Sequence, residues 1–206
     1  MCSIAGGVWV DHSAGLENRL DFALSSIRYR GPNDQGSVIF SVSSSTVALG
    51  QTRLVVIDLS SGGHQLVWSQ DRHYAIIFNG EIYSYCELRT ELAVTGPSFV
   101  SDSDSEGLLH AWIRWGEGCL ARLKGMFAFA IADLEAGTVT CVPDPFGIRP
   151  FYCESSSDGF LFASEQRGQL LAAFDDLIAG RRKFSWQVWR WVNYVRWYRL
   201  AQIGAQ

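Results

Sequence analysis

No two of the chain's five cysteines stand in a Cys-x-x-Cys pair, and an odd number cannot close completely into disulfides. Neither a zinc knuckle nor a disulfide scaffold is indicated. No early stretch joins a basic segment to an apolar one as a secretory leader does, and no run approaches the roughly 18 apolar residues of a membrane span. A reducing, cytoplasmic setting is the expectation. Acidic residues are missing from Arg181 onward, where six basic ones stand: Arg181, Arg182, Lys183, Arg190, Arg196 and Arg199. That leaves 11 of the 17 basic residues to face all 21 acidic ones in the rest of the chain. An acidic body is a poor match for phosphates, so nucleic acid is not an expected partner. With 48% of its 206 residues hydrophobic and 18% charged, the chain can still bury a sizeable core.

Ile4 to Val10 reads as a strand that begins almost at the terminus and pins Cys2 to a sheet. Leu16, Leu20, Leu24 and Ile27 recur at helical spacing, up to the Gly/Pro/Asn loop "RYRGPNDQG". "SVIF" and "TVALG" flank the serine-rich "SVSSS" as a hairpin, and "RLVVIDL" and "YAIIF" predict further strands. A helix after "FNGE" sets Tyr85, Leu88 and Leu92 on one face. A second opens at "SDSE", where Ser103 and Glu106 have capping-box spacing, and carries Leu108, Trp112 and Trp115 on one face. "GMFAFAIAD" alternates Phe127, Phe129 and Ile131 with Ala128, Ala130 and Ala132. Such a strand is covered on both faces, on one of them by something that comes close. "TVTCVPD", "PFYCE" and "FLFASE" add three strands. Mostly antiparallel strands with helices in two blocks predict a layered α+β sandwich, its sheets packed together and its helices outside.

Cys2 stands directly behind the initiator methionine. A residue this small permits removal of Met1, which would leave a thiol and a free α-amine on one Cα. The plainer alternative is an inert cysteine.

The segments "MCSIAGG", "RGPNDQG", "RLVVIDLSSGGHQ", "FNGEIYSYCELRTEL", "SDSE" and "DPFGIRPFY" follow one another in a distinctive order. Over residues 1 to 172 this order and spacing resembles the class II glutamine amidotransferase domain, and within that class the amino-terminal half of glutamine-hydrolysing asparagine synthetases. The resemblance implies a four-layer αββα sandwich of two mostly antiparallel sheets flanked by helices, the N-terminal nucleophile hydrolase type. It implies that Cys2 attacks the side-chain amide of glutamine with its own α-amine as base, passing through a thioester. The two groups are well matched, at about 7.7 to 8.0 for the amine and about 8.5 for the thiol. His12, His64, His73 and His110 then need no catalytic role.

By the same resemblance the side-chain amide of Asn79 and the N–H of Gly80, in the turn after "YAIIF", hold the oxyanion. Arg53 takes the α-carboxylate and Asp104 the α-ammonium. Glu81 and the backbone around Val56 and Ile57 line the site, and Arg30 and Gly31 belong to a loop that folds over glutamine. Plainer readings stand beside these: an ordinary Asn-Gly turn, a surface arginine, an aspartate favoured at a helix N-terminus. No metal and no cofactor is implied for this domain; ATP and magnesium would belong to a synthetase half. "SSGGH" begins like the S-G-G-x-D-S pyrophosphate loop of that half, but His64 and Gln65 lead into Leu66 and the aspartate and second serine are missing.

Three positions depart from the family pattern. Ser3 replaces the glycine after the nucleophile and brings bulk that could crowd the thioester. Gly50-Gln51 replaces Gly-His, and Pro143-Asp144 replaces Arg-Asp, with loss of a cation and a backbone donor. After a domain at 1–176, residues 177–206 resemble the start of the helix that links to a synthetase domain. Phe184, Val188, Trp191, Val195 and Tyr198 would share one face of a basic, Trp-rich helix. That helix is the expected contact with a synthetase domain or subunit, or with a second copy of the chain; a membrane surface is not expected. Two functions stay open: a glutaminase domain that supplies ammonia, and a catalytically silent amidotransferase-like module with a binding or regulatory role. Service to a sugar-phosphate or phosphoribosyl amidotransferase is a further enzymatic alternative.

Overall fold

Two antiparallel sheets pack face to face in the computed structural model, which describes residues 2–10, 15–42, 45–54, 66–94, 99–156, 159–165 and 198–199. The first sheet is built from β1 (Ser3–Val10), β2 (Asp34–Val42), β3 (Ser45–Arg53), β8 (Tyr152–Ser156) and β9 (Gly159–Ala163), in the order β2-β3-β1-β9-β8. The second holds β4 (Val67–Trp68), β5 (Tyr74–Ile82), β6 (Gly125–Asp133), β7 (Thr138–Pro143) and β10 (Tyr198–Arg199), in the order β10-β7-β6-β5-β4. Three α-helices are described: α1 (Leu16–Ile27), α2 (Tyr85–Ala93) and α3 (Asp104–Trp115).

Strand alternation sorts the side chains into three cores. Ile4, Val8, Val47 and Leu49 from the first sheet meet Ala75, Ile77, Ala128, Ala130 and Ala132 from the second, and together they fill the gap between the sheets. The alanines of β6 are what let the two sheets approach, which is the close contact that the alternation in "GMFAFAIAD" requires. Phe127, Phe129 and Ile131 point the other way, under Leu88 and Leu92 of α2 and Leu108, Leu109 and Trp112 of α3. On the far side Leu16, Leu20, Leu24 and Ile27 of α1 cover Ala5, Trp9, Ala48 and Leu161. The layers therefore run α1, sheet, sheet, α2 with α3: the expected αββα sandwich.

Three local readings are corrected. "RLVVIDL" does not open a strand at Arg53, because Arg53 is the last residue of β3; residues 55–65 lie outside those described. Asn79 and Gly80 are not in a turn, since β5 runs through them to Ile82 alongside β6. Tyr198, expected on a helical face, lies in β10, paired with Cys141 of β7. An edge strand such as β7 offers unpaired N–H and C=O groups that a following segment can use. The remainder of the proposed tail helix, and the boundary at 176, lie outside the described residues. No helix among the described residues is long and apolar enough to cross a membrane.

Candidate active site

The pairing of β1 with β3 sets Ser3 opposite Thr52, and the same register carried one step further sets Cys2 opposite Arg53. Ile4 and Leu49 lie on the inner face, so alternation sends Cys2 and Arg53 to that face as well. Cys2 is half-buried, and its Sγ donates to the Leu54 carbonyl at 3.8 Å. On the facing sheet Asn79 and Glu81 continue the inward row of Ala75 and Ile77. Ser164 ties the two sheets together at this end. Its Oγ accepts from the Ile4 N–H at 2.9 Å and from Asn79 Nδ2 at 3.2 Å, and its own N–H donates to the Ile4 carbonyl at 2.8 Å. The expected nucleophile and the expected oxyanion donor thus share one end of one gap.

The outer edge of β5 supplies a second donor. β4 pairs only with Ala75 and Ile76, so farther along this edge the N–H groups of every second residue must find other acceptors. The Phe78 N–H donates to Gln51 Oε1 at 3.0 Å, and Gln51 Nε2 donates to the Phe78 carbonyl. The Ile82 N–H donates to Asp104 Oδ2 at 3.1 Å. The Gly80 N–H lies between them on the same edge, where no described residue accepts from it. Gln51 thus acts as a short substitute strand. Gly80 has a structural reason as well: a Cβ would run into the Met126 carbonyl and lie 2.6 Å from Phe127 Cα.

Opposite charges close the site. Arg53 and Asp104 are 8% and 7% exposed, on different sides of the gap. Burial pushes the Cys2 thiol up, against the lowering effects of the Leu54 hydrogen bond and the Arg53 charge; the Asp104 charge raises it further. Burial also raises the Asp104 carboxyl, Glu81 adds to the rise, and the Ile82 and helix-start N–H groups oppose it. Asp104 opens α3, whose start is firmly built. Ser103 Oγ caps the Glu106 N–H at 3.3 Å. The Glu106 carboxylate does not complete a reciprocal box but accepts from the Val100 and Ser101 N–H groups at 2.7 and 2.8 Å.

The "RGPNDQG" loop lies against the strand that bears Arg53. The Asn33 N–H donates to the Arg53 carbonyl at 3.1 Å, and a Cβ at Gly31 would sit 2.5 Å from the Thr52 carbonyl carbon. Glu165 anchors the loop through Arg30 Nη1 at 2.8 Å and through the Tyr29 hydroxyl. Val56 and Ile57 lie outside the described residues. The residues that sequence reasoning missed are therefore Ser164, Glu165 and Tyr29. The signal for Ser164 and Glu165 was a polar pair directly after the apolar "FLFA"; Tyr29 had none.

The three departures fit the fold. Ser3 shares the α1-facing side of β1 with Ala5, so its side chain points away from the face that carries Cys2. Its hydroxyl and that of its cross-strand partner Thr52 are both buried without a hydrogen-bond partner among the described residues. Asp144 donates its N–H to the Phe127 carbonyl at 2.7 Å, so Ala128 and Pro143, the next pair along, form a non-bonded pair. The donor that proline lacks would have pointed out of the β6 ladder. Asp144 then gathers the N–H groups of Phe127, Phe146, Ile148 and Arg149 at 2.9 to 3.2 Å, which holds the "DPFGIR" loop.

Two facing antiparallel sheets between helices, with Cys2 ahead of the first strand at one end of the gap, define a layered αββα class of fold. Two solved structures share this fold. One is the glutamine phosphoribosylpyrophosphate amidotransferase of B. subtilis complexed with ADP and GMP, with a TM-score of 0.63 at 23% identity over 84% of this chain and 43% of that one. The other, described as the allosteric regulatory enzyme of purine biosynthesis, has a TM-score of 0.66 at 23% identity with the same coverage. The chain belongs to the glutamine amidotransferase domain family, whose model matches residues 1–179. It is 40% identical over 179 residues to asparagine synthetase [glutamine-hydrolyzing] 1 of Bacillus subtilis strain 168, covering 85% of this chain. It is 38% identical over 176 residues to a putative asparagine synthetase [glutamine-hydrolyzing] of Mycobacterium tuberculosis H37Rv, covering 81% of this chain. The chain matches only 27% of the length of each of these relatives.

Proposed function

We propose that the chain hydrolyses glutamine to glutamate and ammonia through a thioester on Cys2, and that the ammonia passes to an aspartate-activating synthetase half or partner. The observation that carries this reading is the convergence of Cys2 and Arg53 from one sheet with Asn79 and Glu81 from the other.

Burial disfavours the free thiolate of Cys2, so a base must take its proton at the moment of attack. With Met1 removed, the α-amine of Cys2 is that base. The thiol sulfur bonds to the amide carbon, and the oxyanion is held by the Asn79 amide and the outward N–H of Gly80. The intermediate collapses as the amine passes its proton to the departing nitrogen, and ammonia leaves. Water then adds to the thioester, and glutamate and the thiol are released. Arg53 binds the α-carboxylate as a planar fork and Asp104 the α-ammonium, while the Arg30–Gly31 loop covers the substrate. ATP and magnesium act only in the synthetase reaction and enter none of these steps.

The Asp104 carboxyl makes the reading testable by pH. Its pKa in the fold lies above the ordinary 3.8 because burial disfavours the charge, and glutamine's ammonium favours that charge. The KM for glutamine in an ammonia-release assay should therefore rise as pH falls through the raised value, with kcat less affected. Asp104→Asn should show a high KM whose acid limb is flat. The sign for stability is the reverse: the ionised group's cost is absent below the ordinary value and fully present above the raised one. Asp104→Asn should then melt higher than the parent at neutral pH. A protein that releases no ammonia from glutamine while folded and freed of Met1 would instead be the silent module.

A further inference from the structure

Ser164 is fully buried between Ile4 and Asn79, and its bonds leave two groups unsatisfied. The hydroxyl accepts from the Ile4 N–H and from Asn79 Nδ2, but among the described residues its own hydrogen is donated to nothing. At the other pole of the Asn79 amide, Oδ1 is buried and, among the described residues, accepts from nothing. A buried donor and a buried acceptor left unmade are each costly, and here one bond would satisfy both. The oxygen and nitrogen of a side-chain amide are nearly the same size, so the bonds the amide makes decide which way it faces. Turning the Asn79 amide over brings Oδ1 to the Ser164 hydroxyl, which donates to it while still accepting from Ile4. The pole remote from Ser164 then becomes Nδ2, with both its hydrogens. With the amide the other way round that pole is an acceptor, which repels an oxyanion.

We propose that Ser164 is a positioning residue that holds the Asn79 amide with its oxygen inward and its nitrogen presented to the reaction. This rests on the reading of Asn79 as an oxyanion donor. Ser164 is suited to the task because β1 fixes it: the Ile4 N–H uses one lone pair of the hydroxyl, the Ile4 carbonyl takes the Ser164 N–H, and the hydroxyl hydrogen is left for Asn79.

The test is a double-mutant cycle on the Met1-processed chain, with steady-state ammonia release from glutamine. Ser164→Ala should lower kcat by about tenfold, the worth of one orienting hydrogen bond, with KM changed less than about twofold. In the Asn79→Ala background the same change should have no further effect on kcat. Ser164→Cys, close in size and a weak donor, should repeat the pattern and covers the case in which alanine does not fold. The rate at which iodoacetamide labels Cys2 should match the parent, because that reaction has no oxyanion to hold. An equal loss of kcat in both backgrounds, or a changed labelling rate, would overturn the proposal by showing that Ser164 acts through β1 and the nucleophile. Full activity of Asn79→Ala alone would overturn the oxyanion reading itself, whatever Ser164→Ala does.

Discussion

Cys2→Ala should reduce ammonia release from glutamine by on the order of 1000-fold or more, with a melting temperature close to that of the parent. On the proposed mechanism the loss is large because the thioester forms on Cys2. Among the other described cysteines Cys119 is buried, with its thiol pushed up to about 12, Cys141 is more deeply suppressed by burial, and Cys153 is half-buried in β8 against the core between the sheets, with its thiol raised by burial. Cys86 is exposed on α2, with no inward place in the gap. The fold should survive because Cys2 precedes β1, and little packing goes with one sulfur. Blocking Met1 removal with an N-terminal extension should have nearly the same effect, since the α-amine proposed as the base is then an amide nitrogen. An extended protein with full activity would rule out the α-amine as the base.

The second large effect is at Asn79. Removing one oxyanion donor typically costs about 100-fold to 1000-fold in kcat. Asn79→Ala should fall in that range with KM little changed, because on the proposed mechanism the amide meets the substrate's oxygen chiefly once it carries charge. Arg53→Lys should do the opposite. It keeps the charge, loses the fork that grips a carboxylate at two points, and so should raise KM with kcat nearly intact. Kinetics of the two variants side by side check this division. The same defect in both would mean that clamp and oxyanion hole are not separate devices.

The layers of the fold were legible because period-two patterns declare faces. The small-large alternation of Ala128 to Ala132 showed that something came close on one side, and the facing sheet is what came. The candidate site was legible only as far as motifs reach. Arg53, Asn79, Gly80 and Asp104 lie in local signatures, whereas Ser164 meets Ile4 across 160 residues and Asn79 across 85, pairings that no local pattern encodes. Asn79-Gly80 looked like a turn because that dipeptide favours turns, but pairing with β6 overrides local preference. Ser3 looked like an obstacle beside Cys2 because neighbours in sequence look like neighbours in space; on a strand they face opposite ways. Ser103 and Glu106 had the spacing of a reciprocal cap, yet Val100 and Ser101 offered Glu106 nearer donors.

The thioester on Cys2 can be tested most directly by offering the acyl-enzyme a second nucleophile. When the Met1-processed chain turns over glutamine in the presence of hydroxylamine, γ-glutamyl hydroxamate should form at the expense of glutamate, and Cys2→Ala should make neither. Continued release of glutamate with no hydroxamate at high hydroxylamine, or hydroxamate formed equally well by Cys2→Ala, would contradict a covalent intermediate on that cysteine.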